Sequence, residues 1–493
     1  MFSNEFSLNY WTFVITSNPI SENQKHMKLH LSHFTLGLLF LFGTLAFGQD
    51  KGEEAHGHSH YQYHSGVPAH KLIFPSKVPD RIIVNLTEDP THSFAVNWRS
   101  EQSVKEAFVE VAPEGHGPDH RLPGVARRIK ATTQMFENEN KRDNEPLVKA
   151  AYHSALVDGL EPGKTYVYHV GYGDDINAPT WSEWFQITVP DMDQNKPFSF
   201  VYFGDAQNDV KSMWSRVIRK SYQMVPEVDF MMHAGDLINH SESNQEWGEW
   251  FYAGSYLHAT VPSIMTPGNH EYKGGDLSVL WEPQFNLPKN GPAVDFEETF
   301  YTMDYRNMRL VSIDAKYFNS HAKHRDIIIA WLDKVLSENT KTWTTLFLHY
   351  PIYSTAKGRD NKELREGLKP LIDKYGVDLV LQGHDHTYAR GYDANNGEGK
   401  TVVSDAGTVY AVSVSGPKMY QSQDRDWMYK RGEFTQLFQI ISVEGNKLKY
   451  QAFTPLGSLY DGFELQKAAD GSKTLTNLEA EVPLRLKKDF VKE

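Results

Sequence analysis

Five short apolar runs in this 493-residue chain each stop abruptly at residues able to bind a metal ion. Phe200-Val201-Tyr202-Phe203 leads into Gly204-Asp205, and Phe230-Met231-Met232-His233 leads into Gly235-Asp236-Leu237-Ile238-Asn239. Val261-Pro262-Ser263-Ile264-Met265 precedes Pro267-Gly268-Asn269-His270-Glu271, and Leu346-Phe347-Leu348 ends at His349. Asp378-Leu379-Val380-Leu381-Gln382 opens into Gly383-His384-Asp385-His386. Apolar runs closed by Gly and a polar residue read as buried strands, and ligands of an open α/β sheet collect at the carboxyl ends of its strands. The inventory at the five ends suits a pair of metal ions.

Singly, each of these residues has a plainer reading. His349 could be a satisfied core histidine, Asp205 and Asp236 could cap helices or close turns, and His384 with His386 could be a surface pair. Their joint occurrence at five strand ends favours the metal site. A carboxylate can bridge two metals through its two oxygens, and Asp236 is the natural bridge. Two ions about 3.5–4 Å apart clamp a phosphate and generate hydroxide near neutral pH, and His270, beside Asn269, is placed to protonate a leaving alkoxide.

The bulk properties narrow the partners. No cysteine occurs, which removes disulfides and thiolate sites and leaves oxygen and imidazole donors suited to Zn, Fe, Mn or Ni. A formal net charge of -13 argues against nucleic acid as partner, since no basic excess exists to neutralise phosphates. A small phosphorylated substrate stays open, because bound cations supply local positive charge. With 40% hydrophobic residues the chain has core material for two or three domains.

Along the chain, residues 1–26 look unlike an exported leader and read as a mis-called extension. From Met27 a weakly basic start, the apolar Phe34 to Phe42 stretch and the small residues around Ala46 and Gly48 read as a secretory signal over 27–48. The apolar run falls short of the ~20 residues that a spanning helix needs, so an exported protein, periplasmic or secreted and without a stable membrane anchor, is expected. Residues 49–78 form a His-rich linker holding His56, His58, His60, His64 and His70; a solvated tether is the plainer reading of it, metal capture the other. Residues 79–192 have an all-β texture, with Phe94-Ala95-Val96-Asn97-Trp98 alternating as a half-buried strand does. The Pro162-Gly163 turn followed by Tyr166 resembles a corner of a fibronectin type III sandwich. From Lys196 the rhythm is β-α-β, with helices expected over Val210 to Met224, Arg325 to Leu336 and Lys362 to Tyr375. A catalytic domain is set at 196–455 and a C-terminal extension at 456–493. His233 and His240 read as core or supporting residues, Glu246 to Trp250 as an amphipathic helix contact, and Tyr272, Tyr388 and Arg390 as cleft-lining or packing residues.

The ordered set Gly204-Asp205-Ala206-Gln207, Gly235-Asp236-Leu237-Ile238-Asn239, Gly268-Asn269-His270-Glu271, His349 and Gly383-His384-Asp385-His386 resembles the purple acid phosphatase branch of the calcineurin-like metallophosphoesterases. That resemblance implies a multi-domain fold: a fibronectin type III-like β-sandwich followed by an α/β, αββα-sandwich metallophosphoesterase domain. It implies a first metal held by Asp205, Asp236 and His386, and a second held by Asp236, Asn269, His349 and His384. His270 would assist the leaving group while a metal-activated hydroxide attacks a phosphomonoester. Two positions depart from the family. Its tyrosinate is Asn239 here, and the position two after the first Asp is Gln207; both are possible ligands, but only through a neutral amide oxygen. A pair of divalent ions, and no purple charge-transfer band, is therefore expected. The alternatives are a phosphodiesterase or nucleotide hydrolase on the same scaffold, or a non-catalytic surface binding protein.

Overall fold

The computed structural model describes residues 69–489 apart from 142, 294–295, 393–400 and 479–480. The N-terminal extension, the leader and residues 49–68 of the His-rich stretch lie outside the described residues.

Alternation builds the N-terminal domain. Phe94, Val96 and Trp98 point the same way from the Phe94–Ser100 strand and join Val109, Val111, Tyr168, Phe185 and Ile187 in one core, as side chains two apart on a strand must. Strands Asp80–Asn85, Phe94–Ser100, Val148–Val157 and Thr132–Asn138 form one layer; Arg127–Lys130, Phe108–Pro113, Thr165–Gly171 and Phe185–Thr188 form the other. At the corner before Thr165–Gly171, the Glu161 backbone N–H donates to the Tyr166 hydroxyl at 2.7 Å.

The first layer does not stop at the domain boundary. Asn85 pairs in parallel with Ser263, and the Asn85 amide donates to the Ser263 carbonyl at 2.9 Å. Asp80–Asn85 thereby becomes a neighbour of Ser263–Met265 in a twelve-stranded sheet. Beyond it lie Phe230–His233 and Phe198–Phe203, all parallel, then the antiparallel Phe438–Glu444, Lys447–Phe453, Leu459–Lys467 and Lys473–Leu478. The last two strands carry the sheet past residue 455.

A seven-stranded sheet faces it, with parallel Met308–Ile313, Trp343–Leu348, Leu379–Gln382 and Val409–Val412 at its heart. Consecutive residues sort to opposite faces. Phe347, Leu379 and Leu381 enter the core that also holds Phe200, Met232 and Ile264. Leu346, Leu348 and Val380 turn toward helices Arg325–Ser337 and Lys362–Tyr375, meeting Ile328, Leu332, Leu364 and Ile372. The result is a helix–sheet–sheet–helix stack beside a β-sandwich. The helix expected from Val210 is α-helical only over Ser215–Met224; Val210–Trp214 is a wider π turn after two left-handed residues, Asn208 and Asp209. Among the described residues no helix is long and apolar enough to cross a membrane.

Candidate metal centre

The strands Phe198–Phe203, Phe230–His233 and Ser263–Met265 of one sheet, and Trp343–Leu348 and Leu379–Gln382 of the other, end at a common place. Two groups of donor atoms lie there within 4.8 Å of one another: Asp205, Asp236 and His386, and Asp236, His349 and His384. The loops that carry them are tight. Asp236, His384 and His386 have φ of 51°, 73° and 45°, a left-handed backbone costing about 1–3 kcal/mol at each non-glycine residue. Hydrogen bonds hold them there: the Asp236 and Leu237 N–H groups donate to the buried Glu271 carboxylate at 2.9 and 2.8 Å, and the His384 N–H donates to Asp205 Oδ2 at 2.7 Å. A side chain at Gly268 would put its Cβ 2.2 Å from Asp236 Oδ1, and one at Gly383 would put it 2.5 Å from Asp205 Oδ2. Both positions need glycine for close approach.

The donors point acceptors at one another. The His349 Nδ1–H donates to the Ala234 carbonyl at 2.8 Å, so its Nε2 faces inward. That Nε2 lies 3.1 Å from Asp236 Oδ2, 3.2 Å from Asn269 Oδ1 and 3.2 Å from His384 Nδ1. Four lone pairs converging on one point repel unless a cation sits between them. On the other side His386 donates Nδ1–H to the Lys418 carbonyl at 3.1 Å, and its Nε2 stands 3.6 Å from Asp205 Oδ1. Asp205 Oδ1 is buried and has no hydrogen-bond partner. Backbone carbonyls that fix the outer nitrogen of an imidazole are the usual support of a metal-bound histidine. The donor set fits two ions of the Zn, Mn or Fe kind.

Gln207 lies between the two groups. Its amide nitrogen is 2.8 Å from Asp236 Oδ2 and 3.0 Å from His386 Nε2, while its Oε1 is buried without a partner. Amide N and O are assigned from the hydrogen-bond network rather than seen, and turning the group over would bring an oxygen into the ligand set. Asn239 does not point that way. Its amide nitrogen donates to His240 Nε2 at 2.9 Å and its carbonyl accepts from His270 Nδ1 at 2.6 Å.

Asp236 Oδ1 is already engaged by the His270 N–H at 2.9 Å, and Oδ2 is the oxygen that faces both His349 and Gln207. Asp236 is the carboxylate common to both groups of donors.

Without metal, protons do the neutralising. Burial pushes Asp205 up to about 8, and the Asp236 charge adds to the push against a partial offset from His349. Burial alone would lower His349, but the Asp236 carboxylate overrides it and raises the imidazole to about 9. Asp236 itself is held low, with His349 and His270 outweighing the cost of its burial. Both protonated groups must deprotonate to ligate, so loading chelator-treated protein at pH 7 is expected to release protons. A pH indicator in weak buffer reads this. Stoichiometric metal uptake with no proton release would contradict it.

His270 lies on the open side. Its side chain is 25% exposed whereas that of His349 is fully buried, and its Nε2 is 3.9 Å from Asp236 Oδ2. His233 is a core residue, stacked on Phe203 and edge-on to Trp250. Tyr388 and Arg390 pack away from the centre, both bonded to Asp461. Two supporting acids were not singled out from sequence. Glu271 also accepts from the Gly268 N–H at 2.6 Å. Asp385, flanked by the two histidines, accepts from Thr355 and Ala356 and pairs with Arg359 at 3.3 Å. Their positions inside the Asn-His-Glu and His-x-His motifs were the available signal.

Residues 198–388 match the family model described as calcineurin-like phosphoesterase, and residues 79–189 match that of the purple acid phosphatase N-terminal domain. Among curated proteins the chain is 25% identical over 335 residues to "Probable inactive purple acid phosphatase 24" of Arabidopsis thaliana, covering 60% of this chain and 52% of that one. It is 27% identical over 268 residues to "Acid phosphatase type 7" of Danio rerio, covering 48% and 57%. The chain thus spans about half the length of these relatives. A solved purple acid phosphatase from yellow lupin shares the fold with a TM-score of 0.65 at 19% identity, over 80% of this chain and 75% of that one.

Proposed function

The chain is a purple-acid-phosphatase-like member of the calcineurin-like metallophosphoesterase superfamily, and from that premise we propose that it hydrolyses phosphomonoesters at a pair of metal ions. The observation that carries this reading is the convergence of Asp205, Asp236, His349, His384 and His386 on two adjoining points sharing Asp236. Asp205, Asp236 and His386 would hold one ion, with the Gln207 amide oxygen as an added ligand. Asp236, Asn269, His349 and His384 would hold the other. A bound pair supplies charge neutralisation for the phosphoryl oxygens and a water acidic enough to ionise near neutral pH.

The residues of the chain do the rest. The Ala234 and Lys418 carbonyls orient His349 and His386. Glu271 ties together the loops bearing Asp236 and Asn269. His270, hung from the Asn239 backbone carbonyl by Nδ1–H, would act as the imidazolium: its Nε2–H passes to the leaving-group oxygen as the ester bond breaks, leaving the neutral ring. Asn239, where the family has a tyrosinate, directs its side chain at His240, which supports a divalent pair and a colourless protein.

Three further parts of the reading rest on the sequence. Residues 27–48 act as an export signal, sending the protein to the periplasm or the medium. The N-terminal sandwich is of fibronectin type III kind, a reading supported by the Glu161 N–H to Tyr166 hydroxyl bond at its corner. The domain limits are 79–192 and 196–455, with a C-terminal extension that lengthens the catalytic sheet.

A second reading, hydrolysis of nucleotides, has one observation in its favour. The Arg359 and Lys418 cations share the Tyr420 ring, 4.9 and 5.7 Å from its centroid, and that ring lies 4.8 Å from His386. Two cations beside the centre suit a substrate with a second anionic group. Turnover of p-nitrophenyl phosphate, bis(p-nitrophenyl) phosphate and ATP by Zn-, Mn- and Fe-loaded protein tests these readings. The proposal expects the monoester to be cleaved with the highest kcat/KM. A clear preference for ATP or the diester would favour the second reading, and no turnover with any metal would leave a binding protein.

A further inference from the structure

Two acids of the N-terminal sandwich reach the neighbourhood of His270. Both lie on the connection between strands Thr132–Asn138 and Val148–Val157. Glu145, buried, caps the catalytic-domain helix Asn244–Gly254: its carboxylate accepts from the Ser243 hydroxyl, the Asn244 N–H at 2.8 Å and the Gln245 N–H at 3.1 Å. Asp143 lies 3.2 Å from His240 Nδ1. Where the connection begins, Asn138 at the end of Thr132–Asn138 donates its side-chain amide to the Glu242 carbonyl at 2.9 Å.

From these anchors hydrogen bonds run to the cleft without a gap. Glu246, in the first turn of the capped helix, accepts the Asn239 and His240 N–H groups, both at 2.7 Å. Its other oxygen shares His240 Nδ1 with Asp143, at 3.1 Å. The Asn239 amide donates to His240 Nε2, so that nitrogen accepts and the proton sits on Nδ1, facing the two carboxylates. Held through its N–H and its side chain, Asn239 presents its carbonyl to His270 Nδ1 at 2.6 Å. His270 thereby takes its ring orientation from a loop that a second domain pins down.

We propose that Asp143 and Glu145 of the N-terminal sandwich are positioning residues for His270, fixing the Asn239 carbonyl on which its ring is hung. This rests on the reading of His270 as the group that assists the leaving oxygen. The sandwich then has a part in the reaction although none of its residues joins the metal ligands. The physical reason is geometric: proton transfer needs donor and acceptor within hydrogen-bond reach, and a displacement of about 1 Å can cost on the order of 100-fold in rate.

The test uses the full-length, metal-loaded chain and two readouts. The first is the downfield proton resonance of His270 Nδ1–H, identified by its loss in His270→Asn. It is expected to shift or disappear in Asp143→Ala and in Glu145→Ala, and to return in Asp143→Asn, which keeps an acceptor oxygen. The second is kcat against leaving group. For glycerol phosphate, whose alkoxide needs a proton, kcat in Asp143→Ala should fall about tenfold or more with KM within about twofold. For p-nitrophenyl phosphate, whose phenolate leaves unaided, the fall should be several times smaller. An unchanged resonance in both variants, or equal losses on both substrates, overturns the proposal. If Glu145→Ala fails to fold, Asp143→Ala and Glu145→Asp carry the same comparison. Should the wild-type chain cleave neither phosphate, the phosphatase reading fails, while the resonance still decides whether the sandwich positions His270.

Discussion

Asp236→Asn is expected to lower kcat/KM by at least about 10³-fold and to strip metal from both sites. Asp236 belongs to both groups of converging donors, and its Oδ2 lies within 3.1 Å of His349 Nε2 and 2.8 Å of the Gln207 amide. An amide there presents either a neutral oxygen or an N–H to that space. Each ion loses the anionic ligand it shares, leaving Asp205 as the remaining carboxylate among the converging donors. Loss of several kcal/mol of charge stabilisation in the transition state corresponds to about three powers of ten or more. The fold should survive, since Asn still offers an oxygen to the His270 N–H that Oδ1 now accepts at 2.9 Å. Circular dichroism, metal content and turnover of a phosphomonoester on the same sample separate these effects. A folded variant retaining two ions and more than a tenth of the activity would remove Asp236 from its bridging role.

Asp461→Ala is expected to destabilise the chain by about 3–5 kcal/mol without touching a metal ligand. Arg390 is fully buried. Its Nε and Nη2 donate to the Asp461 carboxylate at 2.7 and 2.8 Å, and its Nη1 donates to Asn477 at 2.8 Å. Tyr388 donates its hydroxyl to the same carboxylate at 2.7 Å. The guanidinium is further packed against Tyr429 and Phe463, with centroids at 4.6 and 5.1 Å. The pair clips Tyr388–Tyr392 of the seven-stranded sheet to Leu459–Lys467 of the twelve-stranded one. Removing the acid leaves the buried Arg390 charge uncompensated, although Asn477 still accepts from it, and leaves the Tyr388 hydroxyl with the Tyr450 hydroxyl at 3.3 Å as its partner. Replacing both charges with apolar groups, as in Arg390→Met with Asp461→Leu, should recover much of the loss, because the desolvation cost of the pair disappears with it. Urea unfolding gives both numbers. A single-variant loss under about 1 kcal/mol would contradict the assignment of Arg390 to a sealed interior.

How much of this was legible in the sequence follows from what is local. Phe230–His233 has the bounds expected of it, and Phe198–Phe203 ends where expected but starts two residues earlier, because strands buried on both faces are continuous apolar runs broken by glycine. Lys362–Tyr375 is helical over its expected span for the same local reason, with Gly376 in a left-handed conformation just beyond it. His349 was legible only as a member of a set, since nothing beside it in sequence distinguishes it from a core histidine. The features that were missed depend on distant partners. One register pair, Asn85 with Ser263, fuses the sandwich to the catalytic sheet, and no local pattern announces it. Arg390 stands next to a motif, yet the acid that fixes its role is 71 residues away. The left-handed backbone at His384 and His386 runs against the ordinary preference of those residues.

The central claim is that the centre holds two metal ions, and elemental analysis of the purified chain tests it most directly. His56, His58, His60 and His64 are replaced by Ala for this purpose, so that the His-rich stretch contributes no metal. The account predicts close to two divalent ions per chain and no visible charge-transfer band. One ion per chain would mean that the Asp205, Gln207 and His386 side does not hold metal. None, after incubation with Zn²⁺, Mn²⁺ and Fe²⁺, would contradict the account outright.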